Sequence, residues 1–342
     1  MACGRESALG SLDSGRCTVS SSGVAAADFK KNLMKIVSGT NNPILSKEIS
    51  KHLKTKLVNS NIRRFADSEV YIEINENMRG SEVFVIQGTS YPANDNIMEL
   101  LVCIDALRRA SAKNITAVLP YYGYARQDRK VTPRSPISAK LVANLITNAG
   151  ANRVLTLDLH ANQIQGFFDI PVDNLFAAPI FVKDIKKNIK SKSLVCVAPD
   201  VGGVERARAL GKRLNAELAI IDKRRSGPGK SEVMNVIGEV KGKTCIIIDD
   251  LVDSGGTICN AAKALIEKGA KEVYAYVVHA VLSGDAVKKI QKSKIKQFVV
   301  TNSIDNKQKT KGSKIKIISV ASLLGEAINR ISESRSVSKL FK

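Results

Sequence analysis

The stretch IIIDDLVDSGGT, residues 246–257, decides the fold of this chain. Its three consecutive isoleucines predict a buried strand, since β-branched apolar residues favour strands that are covered on both faces. Asp249 and Asp250 follow at the predicted carboxyl end of that strand, and residues 253–257 lead into a helical segment. In open α/β sheets, ligands bind outside the carboxyl ends of the strands. The stretch therefore predicts an α/β fold with a ligand site at this turn.

The turn itself, DSGGT at residues 253–257, predicts a binding site for an anion. Its glycines let the backbone approach a ligand closely, and the amides at the start of the following helix point toward that ligand. The two adjacent carboxylates before the turn are suited to ribose hydroxyls or a magnesium ion. A capped turn with glycine at a tight bend is the alternative, which adjacent carboxylates disfavour because they repel each other. The candidate residues are Asp249, Asp250, Asp253, Ser254, Gly255, Gly256 and Thr257.

The rest of the chain alternates between short β-branched runs and helical segments. Runs such as EVFVIQG and RVLTLDL have the composition of strands. Apolar residues from Ile97 to Leu107 recur at helical spacing, and Asp95 stands before them as a predicted N-cap. This alternation predicts parallel sheets flanked by helices.

One helix–strand unit occurs twice in the sequence. SAKLVANLITNAGANRVLTLDLHA, residues 138–161, resembles CNAAKALIEKGAKEVYAYVVHA, residues 259–280. In both copies a helix is predicted to end at a Gly-Ala pair, because glycine suits the left-handed residue that stops a helix. A strand and a His-Ala pair follow at the same distance. The repeat predicts two similar domains, the second beginning near residue 180.

The predicted organisation has three parts. We expect one domain over residues 34–180 and another, with the 253–257 turn, over residues 181–342. Residues 1–33 are rich in Ser, Gly and Ala and have no apolar periodicity, so they are predicted to be a disordered extension. A weak organelle-targeting segment and an artificial or misassigned start are the alternatives for this segment.

Composition excludes several classes of protein. The chain is 44% hydrophobic and 25% charged, which is the balance of a water-soluble globular protein. No apolar run approaches the roughly 18–20 residues that a membrane helix needs. The 6 cysteines form no C-x-x-C pair. They indicate small buried hydrophobes in a reducing compartment, which favours the cytoplasm.

The formal net charge of +21 is unusual, and residues 288–316 carry ten lysines against one acid, Asp305. A basic chain can bind nucleic acid, an anionic membrane or small polyanionic substrates. A solvated lysine-rich face explains this stretch best, because nucleic-acid binding favours interleaved aromatic residues and the stretch offers only Phe298. We therefore expect no specific nucleic-acid partner and no membrane partner.

Two segments together resemble a known family. The 253–257 turn with its preceding acids resembles the phosphoribosyl pyrophosphate-binding motif of type I phosphoribosyltransferases. DLHANQIQGFFDIPVD, residues 158–173, matches the signature of the class I ribose-phosphate pyrophosphokinases along its whole length. The similarity runs from about Met34 to the last residue. It implies two Rossmann-like, phosphoribosyltransferase-type α/β domains with parallel sheets. It also implies transfer of the diphosphoryl group of Mg-ATP to the anomeric hydroxyl of ribose 5-phosphate, giving phosphoribosyl pyrophosphate and AMP.

The resemblance assigns roles to individual residues of this chain. His160 in the signature and Asp200 in APDVGG match the family's magnesium ligands, so Mg²⁺ is the expected cofactor. Arg126 and Gln127 in YARQDRK match positions that contact ATP, and an arginine can stack on a base or grip a phosphate with two hydrogen bonds. Ribose 5-phosphate is expected on the 249–257 segment.

Two further segments match the family's active site. Phe65, Asp67 and Glu69 in FADSE match a segment that reaches the adenine from a neighbouring subunit. Lys223 and Arg225 in DKRRSGPGKSE match the catalytic pair of a mobile loop, whose cations would neutralise charge on the transferred diphosphate. No residue is indicated as a general base, so positioning and charge stabilisation are expected to supply most of the rate.

The resemblance also implies a homohexamer with ADP as an inhibitor and phosphate as an activator. SVSKLF, residues 336–341, matches the family's C-terminal segment at the regulatory site, whereas Asn162 stands where relatives often have serine. A phosphoribosyltransferase is one alternative, which the 158–173 signature disfavours. A catalytically inactive regulatory homologue is another, disfavoured by the intact Lys223 and Arg225. A nucleic-acid-binding module rests on charge alone.

Overall fold

The computed structural model describes residues 34–224 and 233–341, so the predicted extension at residues 1–33 lies outside the described residues. Strands and helices alternate along the chain. The strands are β1 (Met34–Ser38), β2 (Ser60–Arg64), β3 (Val70–Ile74), β4 (Glu82–Ile86), β5 (Asn114–Leu119), β6 (Arg153–Leu157), β7 (Val172–Leu175), β8 (Leu194–Ala198), β9 (Glu217–Arg224), β10 (Val233–Ile237), β11 (Thr244–Val252), β12 (Glu272–Ala280), β13 (Gln297–Thr301) and β14 (Ile315–Ile318). The helices are α1 (Pro43–Leu53), α2 (Ala93–Arg109), α3 (Ser138–Ala149), α4 (Ala178–Asn188), α5 (Val204–Leu214), α6 (Gly256–Glu267), α7 (Ala286–Lys292) and α8 (Ala321–Ser332).

Two sheets carry the architecture. The first has the strand order β1-β4-β5-β6-β7, and all its neighbours pair in parallel. The second has the order β10-β9-β8-β11-β12-β13-β14 and is parallel except for the β9–β10 edge pair. A separate antiparallel hairpin joins β2 to β3. The predicted fold class, two Rossmann-like α/β units with parallel sheets, is confirmed.

The apolar pattern of β11 explains why the second sheet is covered on both faces. Ile246 and Ile248 belong to one core cluster, and Ile247 belongs to another on the opposite face. The first of these clusters also contains residues of the first sheet, such as Phe84. Helix α8 packs against α1, which brings the end of the chain back onto its first helix. Because apolar residues of both sheets share this core, the division near residue 180 stays a prediction.

The repeated helix–strand unit has the same geometry in both halves. Helix α3 leads to β6, which pairs in parallel with β5, and helix α6 leads to β12, which pairs in parallel with β11. Gly150 follows α3 with a φ of 119°, and Gly269 follows α6 by two residues with a φ of 87°. Both angles lie in the region that favours glycine, which is the physical reason for the repeated Gly-Ala pair.

One local prediction is wrong. Helix α2 begins at Ala93 with Pro92 as its N-cap, so Asp95 lies inside the first turn, where its charge favours the positive end of the helix dipole.

The predicted position of the paired acids is confirmed. Asp249 and Asp250 lie at the carboxyl end of β11, which continues to Val252. The strand extends past the acids because β12 continues to pair with it there, up to Val252 opposite Ala280.

The cysteines behave as buried apolar residues. Cys103, Cys196 and Cys245 are buried, and Cys259 is half-buried. Burial raises the pKa of the Cys103 thiol to about 12. Within residues 34–224 and 233–341, no helix combines the length and the hydropathy required to cross a bilayer.

The segment after β5 is held against the first sheet at one glycine, which gives a stability prediction. The Gly123 amide donates to the Thr89 hydroxyl at 2.6 Å, and a Cβ on Gly123 would lie 2.3 Å from the carbonyl oxygen of Thr89. We expect Gly123→Ala to lower the free energy of unfolding by about 1–3 kcal/mol, because a backbone atom must move to admit the methyl group.

Gly166→Ala is the matched control, because an added Cβ there meets nothing within 4 Å. Denaturant unfolding of the two variants measures the difference. Equal stability of Gly123→Ala and the parent chain would show that this segment does not pack as described.

Candidate functional site

The predicted site residues of the two halves meet where β6 and β11 end. His160 follows β6, and its Nδ1 lies 2.7 Å from the Oδ2 atom of Asp250 in β11. The contact spans 90 residues of sequence and joins the two sheets. Asp250 is buried, whereas His160 is partly exposed. The imidazole therefore has one edge fixed by a carboxylate and remains accessible to a ligand.

Arg206, in the first turn of α5, lies among three carboxylates. Its Nη1 is 3.4 Å from Oδ1 of Asp250 and 3.8 Å from Oδ1 of Asp249, and its Nε is 3.9 Å from Oδ1 of Asp158. The helix begins directly after the PDVGG segment, which places this side chain over the carboxyl end of β11. The positive charge of Arg206 offsets the repulsion between the adjacent carboxylates of Asp249 and Asp250.

The two adjacent aspartates have opposite protonation tendencies. Burial acts to raise the pKa of Asp250, but the hydrogen bond with His160 and the charge of Arg206 outweigh it and hold this pKa below its usual value. Burial and the charge of Asp250 raise the pKa of Asp249 well above its usual value. The hydrogen bond with Asp250 also raises the pKa of His160. The site thus holds Asp250 as a carboxylate in hydrogen-bond contact with the imidazole of His160.

Asp158 anchors the turn that leads into His160. Its Oδ2 accepts a hydrogen bond from the Ala177 amide at 2.7 Å, and its backbone has a φ of 40°. Burial raises the pKa of Asp158 to about 6, although Arg206 acts in the opposite direction. A left-handed backbone at a non-glycine residue is uncommon and needs such fixed partners.

The predicted anion-binding turn has the expected conformation. Gly255 has a φ of 76° and caps the 12-residue helix α6, whose first residue is Gly256. Asp253 accepts a hydrogen bond from Arg126 at 2.7 Å, which ties the turn to the first half of the chain. The hydrogen bond with Ser283 lowers the pKa of Asp253 most, and the hydrogen bond with Arg126 lowers it further. Backbone amides at the start of a helix of this length can bind a phosphate.

The two predicted ATP contacts of the 124–130 segment have different surroundings. Arg126 is half-exposed and points to Asp253. Gln127 contacts the start of α3: its side-chain oxygen accepts a hydrogen bond from the Ser138 hydroxyl, and its backbone oxygen accepts from the Ala139 amide. The structure therefore brings Arg126 to the second half of the site and uses Gln127 to fix the segment.

Phe65, Asp67 and Glu69 lie at the tip of the β2–β3 hairpin. Phe65 is 48% exposed and packs edge-on against Tyr71, and Asp67 accepts from the Glu69 amide at 3.1 Å. In the described part of the chain, none of their hydrogen bonds reaches the His160–Asp250 contact. The structure of one chain does not bring this group to the site, so its role stays a prediction.

His160 and Asp200 are the candidate ligands for a magnesium ion. Nδ1 of His160 binds a carboxylate, an arrangement that orients a metal-binding imidazole with Nε2 toward the ion. Asp200 caps the turn at Val201–Gly203 by accepting from the Gly203 amide at 3.0 Å, and its charge helps to raise the pKa of Asp249. Among residues 34–224 and 233–341, no group of three or more His, Cys, Asp or Glu could hold a metal by itself. These residues fit Mg²⁺ that takes its other ligands from water and substrate phosphates.

The predicted catalytic pair is only partly described. Lys223 lies in β9, where its backbone pairs with Met234 of β10. Arg225 lies outside the described residues. Both assignments stay predictions.

Sequence reasoning missed three residues at the site: Arg206, Asp158 and His279. Arg206 had a usable signal, because it follows the PDVGG turn by three residues in a helix that starts there. Asp158 and His279 belong to the predicted strand–His pattern, but a strand end alone does not say which acid or imidazole becomes buried. His279 contacts the first sheet, as described below.

Models of known protein families match two parts of this chain. A family model described as the N-terminal domain of ribose phosphate pyrophosphokinase matches residues 34–150. A second model, described as a phosphoribosyl synthetase-associated domain, matches residues 225–342.

Whole-chain relatives have the same description. The ribose-phosphate pyrophosphokinase of Agrobacterium fabrum is 61% identical over 312 residues, which cover 90% of this chain and 100% of the relative. That of Rhizobium meliloti is 60% identical over 309 residues, with the same coverage. The crystal structure of phosphoribosylpyrophosphate synthetase from Mycobacterium smegmatis superposes with a TM-score of 0.84 at 39% identity and covers 88% of this chain and 99% of that one.

The raised pKa of Asp158 predicts a pH-dependent stability. Its value of about 6 exceeds the ordinary 3.8, so the stability that its protonated form contributes is complete below about pH 4 and is lost as the pH rises through 6. Asp158→Asn keeps an acceptor for the Ala177 amide and removes the titration. We expect the variant to gain stability relative to the parent between pH 4 and 7, by up to about 3 kcal/mol.

Thermal unfolding at a series of pH values measures this difference, with Asp305→Asn as an exposed control. Parallel pH profiles for Asp158→Asn and the parent would contradict the assignment of a raised pKa to Asp158.

Proposed function

Since this chain belongs to the ribose-phosphate pyrophosphokinase family, we propose a mechanism in which its two halves hold ATP and ribose 5-phosphate against each other. The chain is an enzyme that makes phosphoribosyl pyrophosphate from ribose 5-phosphate and ATP. The family assignment removes the phosphoribosyltransferase alternative. The observation that carries the mechanism is the 2.7 Å contact between His160 and Asp250, because it brings the expected ATP side and sugar side of the site together.

Ribose 5-phosphate is proposed to bind at the carboxyl end of β11. The amides at the start of α6 would receive the 5-phosphate, and the hydroxyls of Ser254 and Thr257 would add donors. The ribose hydroxyls would lie near Asp249 and Asp250. An ionised Asp250 is a hydrogen-bond acceptor, and the raised pKa of Asp249 makes it the easier of the two to protonate, so the pair can recognise a diol.

ATP is proposed to bind on the other side of the same contact. Arg126 would exchange its partner Asp253 for a phosphate or stack on the adenine, because an exposed guanidinium can make either contact. Gln127 would fix the segment that presents it. Phe65, Asp67 and Glu69, at the exposed hairpin tip, are proposed to reach the adenine of a neighbouring subunit.

Magnesium is proposed to bind between the ATP phosphates, His160 and Asp200. When bound, the ion would neutralise phosphate charge and orient the triphosphate. His160 contributes a ring that Asp250 already orients, so this ligand would need no rearrangement. Mg²⁺ would then bind together with ATP and not as a resident ion of the free protein.

The chemical step needs no dedicated base in this proposal. The anomeric oxygen of ribose 5-phosphate forms a bond to the β-phosphorus of ATP, and the bond from that phosphorus to the α–β bridging oxygen breaks. AMP leaves with the bridging oxygen, and the hydroxyl proton passes to solvent. Lys223 and Arg225 are proposed to stabilise the charge that spreads over the diphosphate, which is how positioned cations accelerate phosphoryl transfer.

Assembly, regulation and location are also proposals. We propose a homohexamer in the cytoplasm that ADP inhibits and phosphate activates. Exposed hydroxyl groups at Ser336 and Ser338 lie within hydrogen-bond distance of each other, at 2.8 Å, which suits a phosphate-binding segment. Asn162, in the turn Asn162–Phe167, replaces a serine that relatives often have, so the response to effectors is expected to differ in strength.

Product analysis tests the reaction. With ATP, Mg²⁺ and ribose 5-phosphate, we expect AMP and the diphosphorylated sugar in equal amounts, because attack occurs at the β-phosphorus. Chromatography of the nucleotides gives the ratio. ADP as the stoichiometric product would identify an ordinary sugar kinase and contradict the proposed step.

Arg206 gives a residue-level prediction. Replacing it with Met leaves three carboxylates without their shared cation, so their mutual repulsion should displace the groups that bind the sugar. We expect Arg206→Met to lower kcat/KM for ribose 5-phosphate at least about tenfold, or about 1.4 kcal/mol, and Arg206→Lys to lower it less. Arg208→Met, an exposed change in the same helix, is the matched control. Parental sugar kinetics in Arg206→Met would remove this residue from the site.

A further inference from the structure

The repeated helix–strand unit places a histidine at the same point in both halves, and only one of the two has a role so far. His160 follows β6, and His279 lies at the corresponding point near the end of β12. Unlike His160, His279 is 3% exposed and its ring is closed off from solvent. A ring so buried is unsuited to bind a substrate directly.

The hydrogen bonds of His279 cross from the second half to the first. Nε2 lies 3.0 Å from the carbonyl oxygen of Leu157 and 3.2 Å from that of Asp158, and Nδ1 lies 2.9 Å from the hydroxyl oxygen of Ser303. Carbonyl oxygens only accept, so Nε2 carries the proton and donates. Nδ1 then accepts from the Ser303 hydroxyl. Both ring nitrogens of a neutral imidazole are thereby satisfied.

The two carbonyl groups belong to the turn that aims His160. Leu157 is the last residue of β6, and Asp158 has the left-handed φ of 40°. Two further hydrogen bonds fix the same turn from the other side. The Ala177 amide donates to the Asp158 carboxyl group, and the Leu159 amide donates to the side-chain oxygen of Asn174. His279 supplies the contact to this turn from the second sheet.

His279 is rigidly connected to the strand that carries Asp250. In the β11–β12 ladder, His279 pairs with Leu251, the residue after Asp250. The β11–β12 pair therefore carries both Asp250 and His279, and the imidazole of His279 contacts the backbone two residues before His160. The ring edge also packs against Tyr121, with centroids 5.0 Å apart. These contacts connect the backbone before His160 to the strand that carries Asp250.

We propose that His279 is a positioning residue for the phosphoryl-transfer site: it fixes the backbone from which His160 reaches Asp250. This role rests on the proposed function of His160 at the ATP phosphates. Loss of the Nε2 donor should let the turn shift, weakening the His160–Asp250 hydrogen bond. The kinetic cost should fall more on Mg-ATP than on ribose 5-phosphate, because the two carbonyl oxygens that His279 contacts belong to the turn before His160.

The test compares a replacement that keeps an aromatic ring with one that keeps a hydrogen-bond donor. His279→Phe keeps a planar ring against Tyr121 and has no donor, whereas His279→Gln can donate from its side-chain amide. We expect His279→Phe to lower kcat/KM for Mg-ATP about ten- to a hundredfold, with the KM for ribose 5-phosphate within about threefold of the parent. His279→Gln should recover most of the loss. His52→Gln, at an exposed histidine of α1, is the control and should match the parent.

A spectroscopic measurement on the full-length protein separates this role from the proposed function. The chain has 3 histidines, so ¹⁵N-histidine labelling gives few signals, and the His52 and His279 variants assign them. We expect the His160 nitrogen signals to shift in His279→Phe and to return toward the parent in His279→Gln, without substrate present. This result would hold even if the enzymatic assignment of His160 failed.

The contrary results are equally specific. Parental His160 signals in His279→Phe would overturn the proposal, as would an equal loss for both substrates that follows the drop in Tm. If His279→Phe does not fold, Ser303→Ala replaces it, because it removes the partner of Nδ1 and leaves the core volume nearly unchanged. We expect Ser303→Ala to shift the same His160 signals by a smaller amount, and unchanged signals there would also overturn the proposal.

Discussion

The contact between His160 and Asp250 is the constraint on which the site depends. It is the point where a residue after β6 of the first sheet meets a residue within β11 of the second, 2.7 Å apart. Asp250 can stay ionised in a buried position because His160 and Arg206 both contact it. Without these partners the burial of a carboxylate would be costly. The two halves of the chain therefore share one electrostatic centre.

The same centre explains how a strongly basic chain handles polyanionic substrates. The net charge of +21 favours the approach of anions in general, but it does not place them. In the proposed mechanism, placement falls to the buried acids, to the turn at Gly255 and to Arg126, whose ion pair with Asp253 crosses between the halves. This arrangement suits the two proposed substrates. Their phosphates would lie near the cations at the rim of the site, and the ribose hydroxyls and Mg²⁺ would lie near the acids at its centre.

The sequence predicted the parts of this structure that depend on local chemistry. Three isoleucines before two acids gave the buried strand, and Gly255 gave the helix start, because those preferences act over a few residues. Arg206 was missed, since its place after the PDVGG turn indicates a helix start but not its three partners, which lie elsewhere in the sequence. His279 was visible as half of a repeat, but its bonds to Leu157 and Asp158 span more than 120 residues, a separation at which no local pattern indicates contact.

A double-mutant cycle on His160 and Asp250 tests most directly whether their contact is the shared centre. The four proteins are the parent, His160→Ala, Asp250→Ala and the double variant, compared by kcat/KM for phosphoribosyl pyrophosphate formation. If the two side chains act as one unit, the double variant should be about as slow as the slower single variant, because the second change removes nothing further. Losses that multiply in the double variant would show that the two residues act independently and would contradict a common centre.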